Sequence, residues 1–324
     1  MDTFMNVRAY GENAQVAVER CVQEIERLDA MFDADDPNSE IYRINTDKNT
    51  EISADTFGII KRAGEVCELT DGAFDITVYP VVKAWGFTAD EQRVPDSDEI
   101  DRLLEYVDQK KIGLYESLLS ENVTSENSAG KVELPDNMEI CLGGIAKGYT
   151  SDRLMEIFKD AGVGGGIVSL GGNVAAYGLK ADGKRWRVAI ENPDVDGEIS
   201  NLKNAEYIGV VEVSDKSVIT SGGYERFFEE DGVRYHHIID PATGYPAESG
   251  LISVSIISAD GCLADGLSTA LFVMGKDKAL KCWSEHRDLF DCVLVETDGT
   301  VTVTSGIKDV FSSDIPYEVV EGIF

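Results

Sequence analysis

An α+β fold is predicted by three observations. Helical and β-type runs come in separate blocks rather than in strict βαβ alternation. The chain of 324 residues is 43% hydrophobic, enough for a sizeable core. A Thr-Asp-Gly turn at 297–299 joins two neighbouring β-type runs, as an antiparallel hairpin requires.

In chain order, the opening MDTFMNVRAYG reads as a strand. Val16, Cys21, Val22, Ile25, Leu28 and Phe32 then recur at helical spacing and predict an amphipathic helix over 13–32. A second helix starts at about Ser53, an N-cap residue type, with Phe57, Ile60, Val66 and Leu69 facing inward. Residues 92–128 are charged and polar and read as a solvated lobe or insertion. A third helix covers 150–161 and ends at Gly162; a fourth covers 263–274 and is closed by Gly275. Strands are expected at 166–170, 186–190, 207–213 and 251–258, and at 292–296 paired with 300–304. No long-range repeat divides the chain, and its length suits either one elaborated α+β unit or two lobes.

Charge and composition exclude several classes. With 60 acidic against 29 basic residues the net charge is −31, which repels phosphate backbones and anionic lipid, so no nucleic-acid partner is expected. The six cysteines contain no C-x-x-C pair and sit mostly among apolar neighbours, so buried thiols are expected rather than disulfides or a zinc ribbon. No run reaches the ~20 apolar residues of a membrane span.

Five stretches are too rich in Gly, Asp and Thr for packing alone: DGAFDITVYPVVKAWGF from Asp71, CLGGIAKGYTSD from Cys141, SLGGNV from Ser169, ITSGGYERFF from Ile219, and RYHHIIDPATGYPA from Arg234, followed by ADGLSTALFVMG. The glycines at 162–166 precede a strand and lack G-x-G-x-x-G spacing, which argues against a dinucleotide fold of the Rossmann type. Gly143–Gly148 leads into a helix with Lys147 beside open backbone, which suits either a phosphate or a plain turn. Asp265 and Thr269 stand four apart on a helix, so their oxygens share a face. They can ligate a hard cation, or serve as a dipole-favoured Asp and a back-bonded Thr. His236 and His237, two of only three histidines, would point to opposite faces of a strand over 234–239. They therefore do not chelate one metal together; one suits a general base and the other the fold.

In this order, together with MDTFMN, the stretches resemble the ApbE family, the FAD:protein FMN transferases, over nearly the whole chain. The resemblance implies a T-fold-like arrangement of mainly antiparallel sheets with packed helices, in one catalytic unit over 1–324, and an enzyme that splits FAD, releases AMP and attaches FMN to a threonine of a flavoprotein. Its acceptors would be subunits of membrane redox complexes. FAD hydrolysis to FMN and AMP, or FAD binding without catalysis, are the alternative readings. Position by position, the resemblance assigns Asp265, Thr269 and the Gly144 carbonyl to Mg²⁺, and His237 to activation of the acceptor hydroxyl. It places Lys147, Met1, Ala73, Phe74, Asp75, Cys141 and Ile239 around FAD. Two positions depart from the family pattern: Cys141 stands where many members have Asp, and Asp35 where many have an aromatic residue. Family members are usually exported lipoproteins. An extracytoplasmic protein held to the membrane by an N-terminal lipid anchor that this chain does not contain is therefore expected.

Overall fold

Gly171 and Gly172 both have positive φ, 55° and 88°. Two such residues make the two-residue turn whose twist matches paired strands, and they join Gly165–Leu170 to Asn173–Gly178 with Leu170 opposite Asn173. This hairpin lies within an eight-stranded sheet. Its strand order is Met5–Tyr10, Gly165–Leu170, Asn173–Gly178, Lys216–Gly222, Leu251–Ser258, Asp291–Glu296, Val301–Thr304 and Glu318–Val320. Every pair is antiparallel except the last. The structure is a computed structural model and describes residues 3–88, 91–117, 129–194, 196–203 and 205–322.

By its contacts the chain falls into two units. The unit made of Asp2–Ile25, Lys147–Glu225 and Glu248–Phe324 holds the large sheet. Val218, Ile257, Val293 and Val303 pack on one side against Val188, Ile190 and Val211 of a three-stranded sheet formed by Phe311–Ser312, Tyr207–Val213 and Trp186–Glu191. The helix Gly261–Met274 packs against Lys216–Gly222 and Leu251–Ser258. Eleven of its fourteen residues are buried, so it has no solvated face. Leu251–Ser258 is likewise buried almost throughout, as a strand covered on both faces must be. A second cluster joins Leu154 and Phe158 of the helix Ala146–Ala161 to Ala17 and Cys21 of the helix Ala14–Phe32.

The other unit comprises Glu26–Ala146 and Arg226–Ala247. Gly130–Glu133 is the middle strand of a small sheet, between Asn49–Ile52 and Gly113–Glu116. The helix Ala54–Leu69 is capped as expected, with Ser53 Oγ accepting from the Thr56 amide at 3.3 Å. Trp85, Val81, Ile100 and Ile239 form an apolar cluster with Phe228 and Tyr235 of the hairpin Phe227–Glu230/Val233–His236. Ile100 belongs to the helix Ser97–Leu104, so the polar stretch folds onto this cluster at that point. Residues 118–128 of the expected lobe lie outside the described residues.

Three expectations need correcting. Val16 and Val22 are exposed, because the buried line of their helix runs through Ala17, Cys21 and Leu28. The third helix starts at Ala146, four residues early, since the Ala146 amide already bonds to the Leu142 carbonyl at 2.8 Å. The strand read over 234–239 is Val233–His236 and ends before His237. None of the six cysteines forms a disulfide; five are buried and Cys141 is half-buried. Among the described residues, no helix is long and apolar enough to cross a membrane.

Candidate functional site

Asp265 is placed by two helices. Its own helix, Gly261–Met274, has its free N-terminal amides satisfied elsewhere: Asp152 takes those of Gly261 and Cys262, each at 2.8 Å, and Asp260 takes that of Leu263 at 2.8 Å. A dipole role at the N-terminus is thereby already filled, and Asp265 lies one turn further in, 3% exposed. Its Oδ2 accepts instead from the Gly148 amide of the helix Ala146–Ala161 at 2.8 Å. Asn173 Nδ2 donates to Oδ1 at 2.9 Å, and Lys147 Nζ stands 3.9 Å from the same oxygen.

This arrangement requires the glycine. A Cβ on Gly148 would lie 2.1 Å from the Gly261 carbonyl oxygen and 2.6 Å from Asp265 Cβ. The GGIAKG stretch thus brings two helices into backbone contact, so that an amide of one reaches a carboxylate of the other.

One turn on, Thr269 Oγ1 lies 3.3 Å from Ser221 Oγ, which is 2.7 Å from Ser268 Oγ. Ser268 in turn donates to the Asp265 carbonyl at 2.8 Å. Among the described residues no three His, Cys, Asp or Glu side chains gather as a metal cluster. A cation at Asp265 and Thr269 would take its other oxygens from backbone, water or substrate, a donor set that suits Mg²⁺ and not zinc. Within SLGGNV and ITSGG no sequence signal marks Asn173 or Ser221 individually.

The other expected residues occupy the unit that holds Trp85. Gly144 is in the turn from Leu142 to Ile145, closed by the Ile145 amide on the Leu142 carbonyl at 3.0 Å. Cys141 donates its amide to the Ile76 carbonyl at 3.0 Å, and its Sγ accepts from the Gly143 amide at 3.4 Å. The Ala73 amide bonds to Thr70, and Phe74 is buried. Asp75 caps the short helix Ile76–Val78, accepting from the Thr77 amide at 2.7 Å and the Gln109 amide at 2.9 Å. Burial raises its pKa, and these hydrogen bonds pull it back. Asp35 accepts from the Tyr79 hydroxyl at 2.7 Å. Met1 lies outside the described residues.

The two histidines carry their protons differently. His236 Nε2 faces the Ala247 carbonyl at 3.2 Å, and its Nδ1 faces the Ile238 amide at 3.3 Å. Only a neutral ring protonated at Nε2 satisfies both. His237 places Nδ1 3.2 Å from the Arg226 carbonyl, so Nδ1 carries a hydrogen, which in the neutral ring leaves the lone pair on Nε2. Ile239 follows, bridged to Pro246.

The model of the ApbE family matches residues 1–294. An FAD:protein FMN transferase of Treponema pallidum is 32% identical over 323 residues, covering 95% of this chain and 85% of that protein. One from Haemophilus influenzae is 33% identical over 307 residues, covering 93% and 84%. Among solved structures, the ApbE protein of Thermotoga maritima superposes with a TM-score of 0.81 at 33% identity, covering 95% of this chain and 94% of the other. The flavin transferase ApbE of Vibrio cholerae gives 0.77 at 26% identity, covering 96% of each.

Proposed function

Because the chain belongs to the ApbE family, we propose that it is an FAD:protein FMN transferase, moving FMN from FAD to a threonine of an acceptor flavoprotein with release of AMP. One observation carries the reading: a buried carboxylate, Asp265, lies beside Lys147 in the first turn of the helix Ala146–Ala161, and its own helix has a separate cap.

The residues divide the work. Asp265 and Thr269 are the residues that would hold Mg²⁺. Their donors are all oxygens, and one formal charge leaves room for substrate phosphate. When bound, that ion would offset the charge of the FAD pyrophosphate and stabilise the leaving AMP oxygen. Lys147 adds a positive charge at the same end of the helix. Gly143 and Gly144 let phosphate approach backbone without side-chain obstruction. His237 Nε2 takes the proton of the acceptor threonine as its oxygen attacks phosphorus. The Arg226 carbonyl keeps the ring in the tautomer that this step needs.

The acceptor class that goes with this reading is a flavoprotein subunit of a membrane redox complex. The setting is extracytoplasmic, testable by labelling native cells with a membrane-impermeant amine reagent. The activity is tested by mass spectrometry of candidate acceptors after incubation with the protein, FAD and Mg²⁺. The expected result is an FMN adduct on threonine with an equal amount of AMP. AMP with free FMN and no adduct over several acceptors would make it a hydrolase, and retained FAD without AMP a binding protein.

A further inference from the structure

Two of the motifs, SLGGN and TSGG, receive no part in that mechanism, yet each holds a side chain beside Asp265 or Thr269. We infer that Asn173 and Ser221 are positioning residues that aim the oxygens of Asp265 and Thr269 at the cation. This rests on the metal reading above.

Asn173 is fixed by its turn. Gly171 and Gly172 make the reversal, and Asn173 is the first residue of the returning strand, 1% exposed. A carboxylate oxygen only accepts, so the Asn173 amide must present its NH₂ to Oδ1. The Gly148 amide claims one site on Oδ2. The carboxylate is therefore held at both oxygens and cannot rotate about its last bond without losing both contacts. Each oxygen keeps a further lone pair. A ligand locked in this way gives up little rotational freedom when a cation arrives.

Ser221 sets the direction of a hydroxyl chain. The Asp265 carbonyl cannot donate, so Ser268 spends its hydrogen there. Ser268 can then only accept from Ser221, which spends its hydrogen in that contact. Ser221 is left as an acceptor toward Thr269, so the Thr269 hydrogen points at Ser221. The lone pairs of Thr269 Oγ1 then face away from Ser221, as a metal ligand requires. TSGG supplies the hydroxyl because Ser221 lies on the strand Lys216–Gly222, against which the helix Gly261–Met274 packs.

The test is Mn²⁺ binding to the full chain without FAD, read by electron paramagnetic resonance, with thermal melts on every variant. Asn173→Leu keeps the shape and removes the donor; it should weaken Mn²⁺ binding roughly 10–100-fold, as lost outer contacts do. Ser221→Ala should weaken it by a smaller factor, and Ser221→Thr, which keeps the hydroxyl, should restore it. Asp265→Asn is the control. A folded Asn173→Leu that binds Mn²⁺ like the unaltered protein, while Asp265→Asn does not, overturns the inference and leaves the metal reading standing. Retained binding by Asp265→Asn overturns both. If Asn173→Leu does not fold, Ser221 decides alone: equal affinity in the Ala and Thr variants overturns the directed chain.

Discussion

His237 meets the carbonyl of Arg226 twice, through its backbone amide and through its ring. That one oxygen lies 3.0 Å from the His237 amide and 3.2 Å from its Nδ1. The backbone contact continues the hairpin beyond its last strand residue, and the ring contact fixes the tautomer.

His237→Ala should therefore slow FMN transfer by about 10²–10⁴-fold while FAD still binds. His236→Ala removes the hydrogen bonds to Ala247 and Ile238 instead. It should cost stability, about 1–2 kcal/mol, and leave transfer in the surviving folded protein largely intact. Single-turnover rates and urea melts on both variants check this, and reversed phenotypes would exchange the two roles.

Asp265→Asn should abolish turnover and metal binding while the helix remains folded. It removes the formal charge yet keeps one oxygen to accept from Gly148. Thr269→Val loses only a hydroxyl dipole, so its defect should be smaller and partly recovered at high Mg²⁺. Chelator should reproduce the Asp265→Asn result in the unaltered protein. Titration of rate against Mg²⁺ distinguishes these outcomes.

Asp35→Tyr offers two readouts. An aromatic ring there should tighten FAD by up to ~1 kcal/mol through stacking. It also removes the acceptor from the hydroxyl of Tyr79, a side chain only 2% exposed, and should lower stability by about 1 kcal/mol. Calorimetric titration with FAD beside thermal melts reads both. Lowered stability with unchanged affinity would make Asp35 a partner of Tyr79 alone.

Alkaline pH should loosen the fold through its buried thiols. Burial, reinforced by the charge of Asp75, pushes Cys67 from 9.0 to about 11. A raised pKa means the neutral thiol is favoured in the folded state. The stabilisation is complete below pH 9 and is lost as pH rises toward 11. At pH 10 the Cys67 contribution is about 1 kcal/mol. Urea melts at pH 8 and pH 10 should show a smaller loss for Cys67→Ala than for the unaltered protein.

How much of this was legible in sequence depended on whether the signal was local. Ser53 as a cap, Gly275 as a stop, and the strands Tyr207–Val213 and Leu251–Ser258 could be read directly, because capping and β-branched runs are short-range. So could the pairing of Asp265 with Thr269 on one helix. The short helix Glu40–Asp47 escaped, its Ser39 cap being followed by only two turns. The glycines of ITSGG mask the end of Lys216–Gly222, a central strand of the large sheet. Asn173 and Asp265 are 92 residues apart, and no periodicity marks an asparagine whose partner is brought to it by sheet pairing.

The helix Gly261–Met274, buried on every side, has a consequence for the order of assembly. A segment with no water-facing side gains nothing by forming alone; it becomes stable only against Lys216–Gly222 and Leu251–Ser258, once the long excursion between those strands has closed. The contact with Lys216–Gly222 is the distant one in sequence, and closing that loop slows its formation. The side chains of Asp265 and Thr269, and with them the proposed cation site, are thus in place only once those contacts have formed. Cation added to the unfolded chain meets no site, so it should slow unfolding without hastening refolding.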